Sequence, residues 1–534
     1  MAFRDSRDEV VMNRPTTRVV IVGGGTAGWI TANAIAAEHR PDSPSGVQVV
    51  LVESPDIPTI GVGEGTWPSM RMTLQRIGLS EDRMIRACNA SFKQGTRFRG
   101  WSGRDGDDGY IHPFSLPTDY ATDNPATSWL ASKVSVPFAH SVTPQATLIE
   151  GGLAPKQATT PQYAFAFNYG YHLDAGAFAD LLRQHAVEGL GVVHIEGNVE
   201  RIEAGPSGDL AAVLLSTGER IDGELFVDCT GQRALLIGQH YGVGFTSVKD
   251  VLFNDTALAV QVPYANPDDA IASATQATAE TAGWIWDIGL QTRRGVGHVY
   301  SAAHADQSAA MAALERYVAR TSPGVDFANL DVRTISFEPG YRQTFWFRNC
   351  VAVGLSAGFV EPLEASALAL IEQSASAIAT QLPRDRKVMD VVAKRFNAKL
   401  CYHWERIVEF LKLHYVVSER DDAYWRDHRT PASRCAGLND KLTLWQQQPP
   451  WHDDAPRIDE LFPSASYQYV LYGLGFRPAD MVADQASVDR ARERTRKLLY
   501  ATHSKASQAA RMLPTNRALL RQVAERTTGA NCHG

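Results

Sequence analysis

Residues 18–29 read RVVIVGGGTAGW, and this stretch decides the fold. Residues 18–22 form a short β-branched apolar run, the composition of a buried strand. Gly23, Gly25 and Gly28 follow at GxGxxG spacing, with Thr26 and Ala27 between them, and an alanine-rich helical pattern continues to about residue 39. Such glycines permit a tight turn and let the backbone come close to a ligand. The helix start behind them offers unpaired N–H groups and a positive dipole end, which suit a pyrophosphate. A polar loop at 41–46 leads to a second apolar run, 47–52, ending in Glu53. An acid at that strand end is placed to accept hydrogen bonds from ribose hydroxyls. The lone motif is a weak signal. Strand, helix and acid around it make it a specific one.

Working outward, residues 225–228 read as another buried strand that ends in Asp228-Cys229-Thr230-Gly231. This end resembles the second flavin-contacting segment of FAD monooxygenases and reductases, which favours FAD over a nicotinamide dinucleotide. Residues 350–354 (CVAVG) predict one more strand, then a glycine-containing turn with Gly354 and Gly358, then a helix over about 365–382. Residues 174–187 predict an amphipathic helix, and strand-type segments between 255 and 345 predict a second sheet. From 385 the pattern is mostly helical, including 400–418 and 488–501. The expected fold is α/β: an FAD-binding, Rossmann-like core of the monooxygenase type, a second β-sheet and a mostly helical C-terminal cap. The expected division is a flexible tail at 1–16, an FAD-binding α/β region with inserted substrate-side segments at 17–384, and the substrate cap at 385–534.

Composition bounds the function classes. The 534 residues are 44% hydrophobic and 21% charged, as in globular enzymes, and the net charge of -7 gives nucleic acid or an anionic membrane no purchase. No apolar run approaches the roughly 20 residues that span a bilayer, and residues 1–18 are charged rather than signal-like. Six cysteines stand singly, without CxxC spacing, so no metal site is expected and a reduced, cytoplasmic setting is the simplest reading. No second GxGxxG stands between a strand and a helix. A separate NAD(P)H-dependent flavin reductase is therefore expected to supply FADH2.

Further blocks keep a fixed order along the chain: residues 61–68 (GVGEGTWP, including Gly63), 91–93 (SFK), 283–288 (GWIWDI), 359–364 (FVEPLE), His414-Tyr415 and 418–422 (SERDD). Together with GGGTAGW they resemble the flavin-dependent halogenases of the tryptophan-halogenase superfamily, from residue 18 to about 425. The WxWxI block is the most discriminating. The resemblance implies that FADH2, O2 and chloride or bromide give hypohalous acid, which passes to Lys93 for electrophilic halogenation of an electron-rich aromatic such as an indole. It also implies that Glu364 orients the electrophile or takes the ring proton, and that Trp284 and Trp286 keep substrate from the flavin. Backbone N–H groups of Ser366 and Ala367 match halide-binding positions. His112 and Phe114 match a substrate pocket, and a homodimer is compatible with the family.

The residue types suit the chemistry. An amine can hold hypohalous acid by hydrogen bonding, or as a haloamine when burial keeps it neutral. A carboxylate near the ring carbon can take the proton that substitution releases. Taken alone, a lysine in a helical stretch such as 91–98 is ordinarily solvated, and acids near a helix start are ordinarily dipole partners. The Ser-Ala at 366–367 replaces a more usual Thr-Gly. The Tyr-Tyr and Phe-Trp pairs of tryptophan halogenases are not recognisable before Gly473-Leu474-Gly475, where residues 445–451 read WQQQPPW. Free tryptophan is thus not the expected substrate. The competing readings are a flavin-dependent aromatic monooxygenase, which needs neither Lys93 nor the paired tryptophans, and a non-catalytic flavin-binding protein.

Overall fold

The computed structural model describes residues 15–43, 46–57, 63–104, 109–479 and 484–530. The β-branched runs form the centre of a six-stranded sheet, in the order Trp346–Phe347, Cys350–Ala352, Leu225–Asp228, Arg18–Val22, Gln48–Glu53, Val193–Glu196. All neighbours are parallel except the first pair, and Val20 stands between Phe226 and Val50. These strands are nearly continuous in apolar residues because helices cover the sheet. The helix Thr26–Glu38 leaves the glycine turn and packs against Ser366–Thr380, so the first and last loops of the sheet meet at its carboxyl edge. Ligands bind at that edge in open α/β sheets.

The predicted second sheet has seven strands: Arg333–Ser336, Thr256–Pro263, Arg293–Tyr300, Gly283–Gly289, Thr275–Glu280, Gly95–Arg99 and Gly109–Pro113. It is antiparallel except where Thr275–Glu280 runs parallel to Gly95–Arg99. Along Gly283–Gly289 the side chains alternate. Trp284, Trp286 and Ile288 face a cavity, whereas Ile285 packs in the separate core beneath the helix Gln307–Thr321.

The helical reading of residues 91–98 is wrong. Ser91–Lys93 is a strand paired with Gly170–Leu173, and Gly95–Arg99 belongs to the large sheet. Residues 91–96 are buried on both sides, so burial gives no helical face and no strand alternation, and the pairing with distant partners decides the conformation. Beyond residue 385 the chain is mostly helical. One 32-residue helix, Arg386–Val417, replaces the shorter predicted one, and Asp385 caps it by accepting from the N–H groups of Lys387 and Val388. Of the expected tail, residues 1–14 lie outside the described residues, while Thr16 N–H donates to the Arg384 carbonyl at 3.0 Å. Among the described residues, no helix is long and apolar enough to cross a membrane.

Candidate active site

A cavity of about 650 Å³ runs from the glycine turn to Lys93 and Glu364, a size typical of small-molecule and cofactor sites. At one end its wall is the backbone of Gly23, Gly24, Gly25, Thr26 and Ala27, with Glu53 beside it. Gly25 has open space before it, and a Cβ on Gly24 would stand 2.0 Å from Glu53 Cδ. Burial raises the Glu53 pKa, opposed by His194, whose Nε2 is 3.0 Å from Glu53 Oε2. Gly63, Gly354 and Gly358 also line the cavity. Two expected contacts stand behind the wall. Gly28 packs helix on strand, since a Cβ there would meet the Gly23 carbonyl at 1.9 Å. Asp228 is fully buried and accepts from the N–H groups of Thr230, Leu236 and Ile237 at 2.8–3.0 Å, shaping the lining segment 229–235 without facing the cavity.

Midway, Trp284 and Trp286 form an aromatic wall, their rings edge-to-face at 6.3 Å. Glu361 fixes it. One oxygen, Oε2, accepts from Trp284 Nε1 (2.6 Å), Tyr415 OH (2.6 Å) and Asn254 Nδ2 (2.7 Å). Burial raises the Glu361 pKa and these donors oppose the rise. Of the two acids in EPLE, Glu361 holds structure.

At the far end Lys93 is 1% exposed and, among the described residues, has no hydrogen-bond or ion-pair partner. Its nearest aromatic companion is Phe114, with Nζ 5.5 Å from the ring centre. Burial brings its pKa down to about 8, with Glu364 opposing. Gly65 leaves room for the amine: a Cβ there would lie 2.9 Å from Nζ and 3.4 Å from Ala365 Cβ. Glu64, next to it, lines the cavity with its Oε2 buried and without a hydrogen-bond partner among the described residues, and burial lifts its carboxyl to about 7.

Glu364 and Ala365 both adopt left-handed backbone conformations, at φ +62° and +55°, each costing about 1–3 kcal/mol for a residue with a side chain. Trp67 holds the kink by donating Nε1–H to the Glu364 carbonyl at 2.7 Å. The kink turns the Glu364 side chain inward, where Oε1 meets His112 Nδ1 at 2.8 Å and His414 Nε2 at 3.1 Å. Thr96 Oγ1 is 3.5 Å from Oε2. Burial alone would raise this carboxyl, but the two imidazoles hold it well below the usual range. The helix Ser366–Thr380 begins immediately after the kink with no side chain capping it, and Ser366 and Ala367 line the cavity. Free N–H groups at such a start suit an anion. His112, expected in the substrate pocket, has both ring nitrogens engaged, the second with Ser466 Oγ at 2.9 Å. Phe114 is half-buried beside Lys93. Trp445 turns inward, donating to Asp454 at 2.9 Å, while Phe462 stacks on Phe410 at 3.8 Å and meets Trp67 edge-on.

The sequence profile described as tryptophan halogenase matches residues 18–490. The chain belongs to the tryptophan halogenase family. A tryptophan halogenase from Shewanella frigidimarina, known as a crystal structure, is 47% identical and superposes with a TM-score of 0.91 over 96% of this chain and 99% of its own. The flavin-dependent halogenase Xcc4156 from Xanthomonas campestris is 33% identical, with a TM-score of 0.84 over 96% and 99%. Tryptophan 6-halogenase SttH from Streptomyces toxytricini is 32% identical over 89% of this chain and 94% of its own. The chain is thus a flavin-dependent halogenase, with FAD, O2 and halide as its reactants. The cavity fits a flavin dinucleotide. It offers an open front at Gly25, an acid at the strand end, bare backbone along the wall and two indoles beyond.

Flanking residues singled out Lys93 and Glu364 as candidates, while much of what orients the two side chains was missed. Trp67 and His414 lay inside quoted blocks without a role, and Gly65 stood among them unremarked. Nothing in the sequence pairs Glu364 with His112, 252 positions away.

Proposed function

We propose that this halogenase acts on an indole or similar electron-rich aromatic rather than on free tryptophan, with Lys93 as halogen carrier and Glu364 as proton acceptor. The observation that carries the reading is the meeting of Lys93, Glu364 and an uncapped helix start at one end of a cavity whose other end fits a dinucleotide. When bound and reduced, FAD supplies two of the four electrons that O2 takes, halide supplying the other two and becoming hypohalous acid. The N–H groups of Ser366 and Ala367 hold chloride or bromide. Lys93, a cation at neutral pH, holds hypohalous acid by hydrogen bonding in a site where water competes little. Phe114 lies beside the amine and offers a face to a flat substrate. Trp284 and Trp286 keep that substrate from the flavin.

Neither the inward-turned Trp445 nor stacked Phe462 supplies partners for an ammonium and a carboxylate, which supports a substrate without an amino-acid tail. Residues 385–534 act as a substrate cap, contributing Phe410, His414, Phe462 and Ser466 around Glu364 and His112. A separate NAD(P)H-dependent reductase supplies FADH2, the setting is cytoplasmic, and the assembly to test by light scattering is a homodimer. The substrate reading is tested by competing equimolar indole and tryptophan in bromide with a flavin reductase. Bromoindole should dominate; bromotryptophan in excess would overturn the substrate assignment.

A further inference from the structure

His414 is fully buried on the helix Arg386–Val417, and its Nδ1 lies 3.0 Å from the carbonyl of Phe410, one turn earlier. A carbonyl only accepts, so Nδ1 carries a hydrogen. In a neutral ring Nε2 would then bear a lone pair, and it lies 3.1 Å from Glu364 Oε1. Two lone pairs do not make that contact; a proton stands between them. His112 is under no such constraint. Its Nε2 can accept from the Ser466 hydroxyl, so a neutral ring can donate Nδ1–H to the same Oε1. Two donors converging on one oxygen are what a carboxylate accepts, which places the shared proton on the imidazole.

We infer that His414 is an imidazolium, a positioning residue that keeps Glu364 ionised and turns its other oxygen, Oε2, to the substrate. This rests on the reading that Glu364 receives the ring proton. On that reading the C–H bond of the arenium breaks, its electron pair restores the aromatic ring, and the proton lands on Oε2, whose only hydrogen-bond neighbour among the described residues is the distant Thr96 hydroxyl. An arenium is so acidic that a carboxylate of low basicity suffices, provided it is ionised. The charged or titratable groups facing the pair are His112 on Gly109–Pro113, Lys93 on Ser91–Lys93, and Glu361, which His414 also influences. The rings of Phe98, Trp101 and Phe410 enclose the imidazole and exclude water.

The test compares His414→Gln with His112→Gln in bromide, following product formation against pH, with FAD affinity as the check on folding. A glutamine at 414 can still donate to Glu364 but brings no charge. The acid limb should therefore move up by about 1–3 pH units in His414→Gln and move less in His112→Gln. An unmoved limb in a His414→Gln protein that binds FAD normally overturns the inference. A second measurement needs neither turnover nor a variant. Ring-15N histidine NMR of the wild-type protein at pH 8 should show a ring carrying hydrogen on both nitrogens. Only neutral rings at pH 8 would overturn it. A wild-type protein that shows the imidazolium but forms no halogenated product would sink the reading of Glu364 and leave the state of His414 standing.

Discussion

Phe92 and Lys93 are neighbours on one short strand, and their side chains point to opposite sides, Phe92 toward the buried Lys156 and Lys93, itself a buried lysine, into contrasting surroundings. On the Phe92 side stands Lys156, 4% exposed, which donates to Glu81 at 2.7 Å and to Tyr169 OH at 2.9 Å. Glu81 in turn accepts from Tyr169, Tyr171 and the Tyr163 N–H, so the cluster is closed. On the other side Lys93, at 1% exposed, faces a cavity, an aromatic ring and a bare glycine. Burial lowers both ammonium pKa values, opposed by Glu81 in one case and Glu364 in the other. Of the two amines, only that of Lys93 has no hydrogen-bonding partner among the described residues. Burial with partners holds the chain together, and burial beside an empty volume leaves a group available for chemistry.

Substitutions should separate the two lysines cleanly. Lys93→Ala should bring halogenated product below detection while FADH2 oxidation and peroxide release continue, and thermal stability should not fall. Product at the wild-type rate would remove Lys93 as carrier. Glu364→Gln should slow halogenation by about 10²–10⁴-fold with FAD affinity unchanged, read from product formation at saturating substrate. Lys156→Ala should do the reverse. It should cost about 3–5 kcal/mol in denaturant unfolding, the loss expected when a buried pair is broken, and spare the activity of the molecules that remain folded. The smallest effect is a pH limb. The charged Lys93 ammonium is a stronger donor than the neutral amine, so product formation should fall as pH rises through about 8. A rate that instead climbs there would mean that the neutral amine works as a haloamine.

How much of this was legible in the sequence follows the range of the interactions. The glycine turn and the strand ending in Glu53 are local patterns, and each appears where it was read, while the WxW block falls on a strand of the expected second sheet. Lys93 was singled out as a candidate but given a helical setting, because three-residue strands show little periodicity and its pairing partner, Gly170, is far along the chain. Asp228 carried a motif that marks a flavin-binding segment, yet its carboxylate turned away from the cavity to satisfy three backbone N–H groups. The Glu364 kink, with two consecutive left-handed residues that are not glycine, has no sequence signal at all. Trp67 and tertiary contacts impose it, as they impose the convergence of His112 and His414 on one oxygen.

The most direct test of the central claim is the fate of isotopes in one reaction: the protein, FAD, a flavin reductase, NADH, bromide and indole under 18O2, with the product analysed by mass spectrometry. The account predicts a product with the bromine isotope doublet and no 18O, the heavy oxygen leaving as water. A product carrying 18O and no bromine would contradict it and make the protein a hydroxylase.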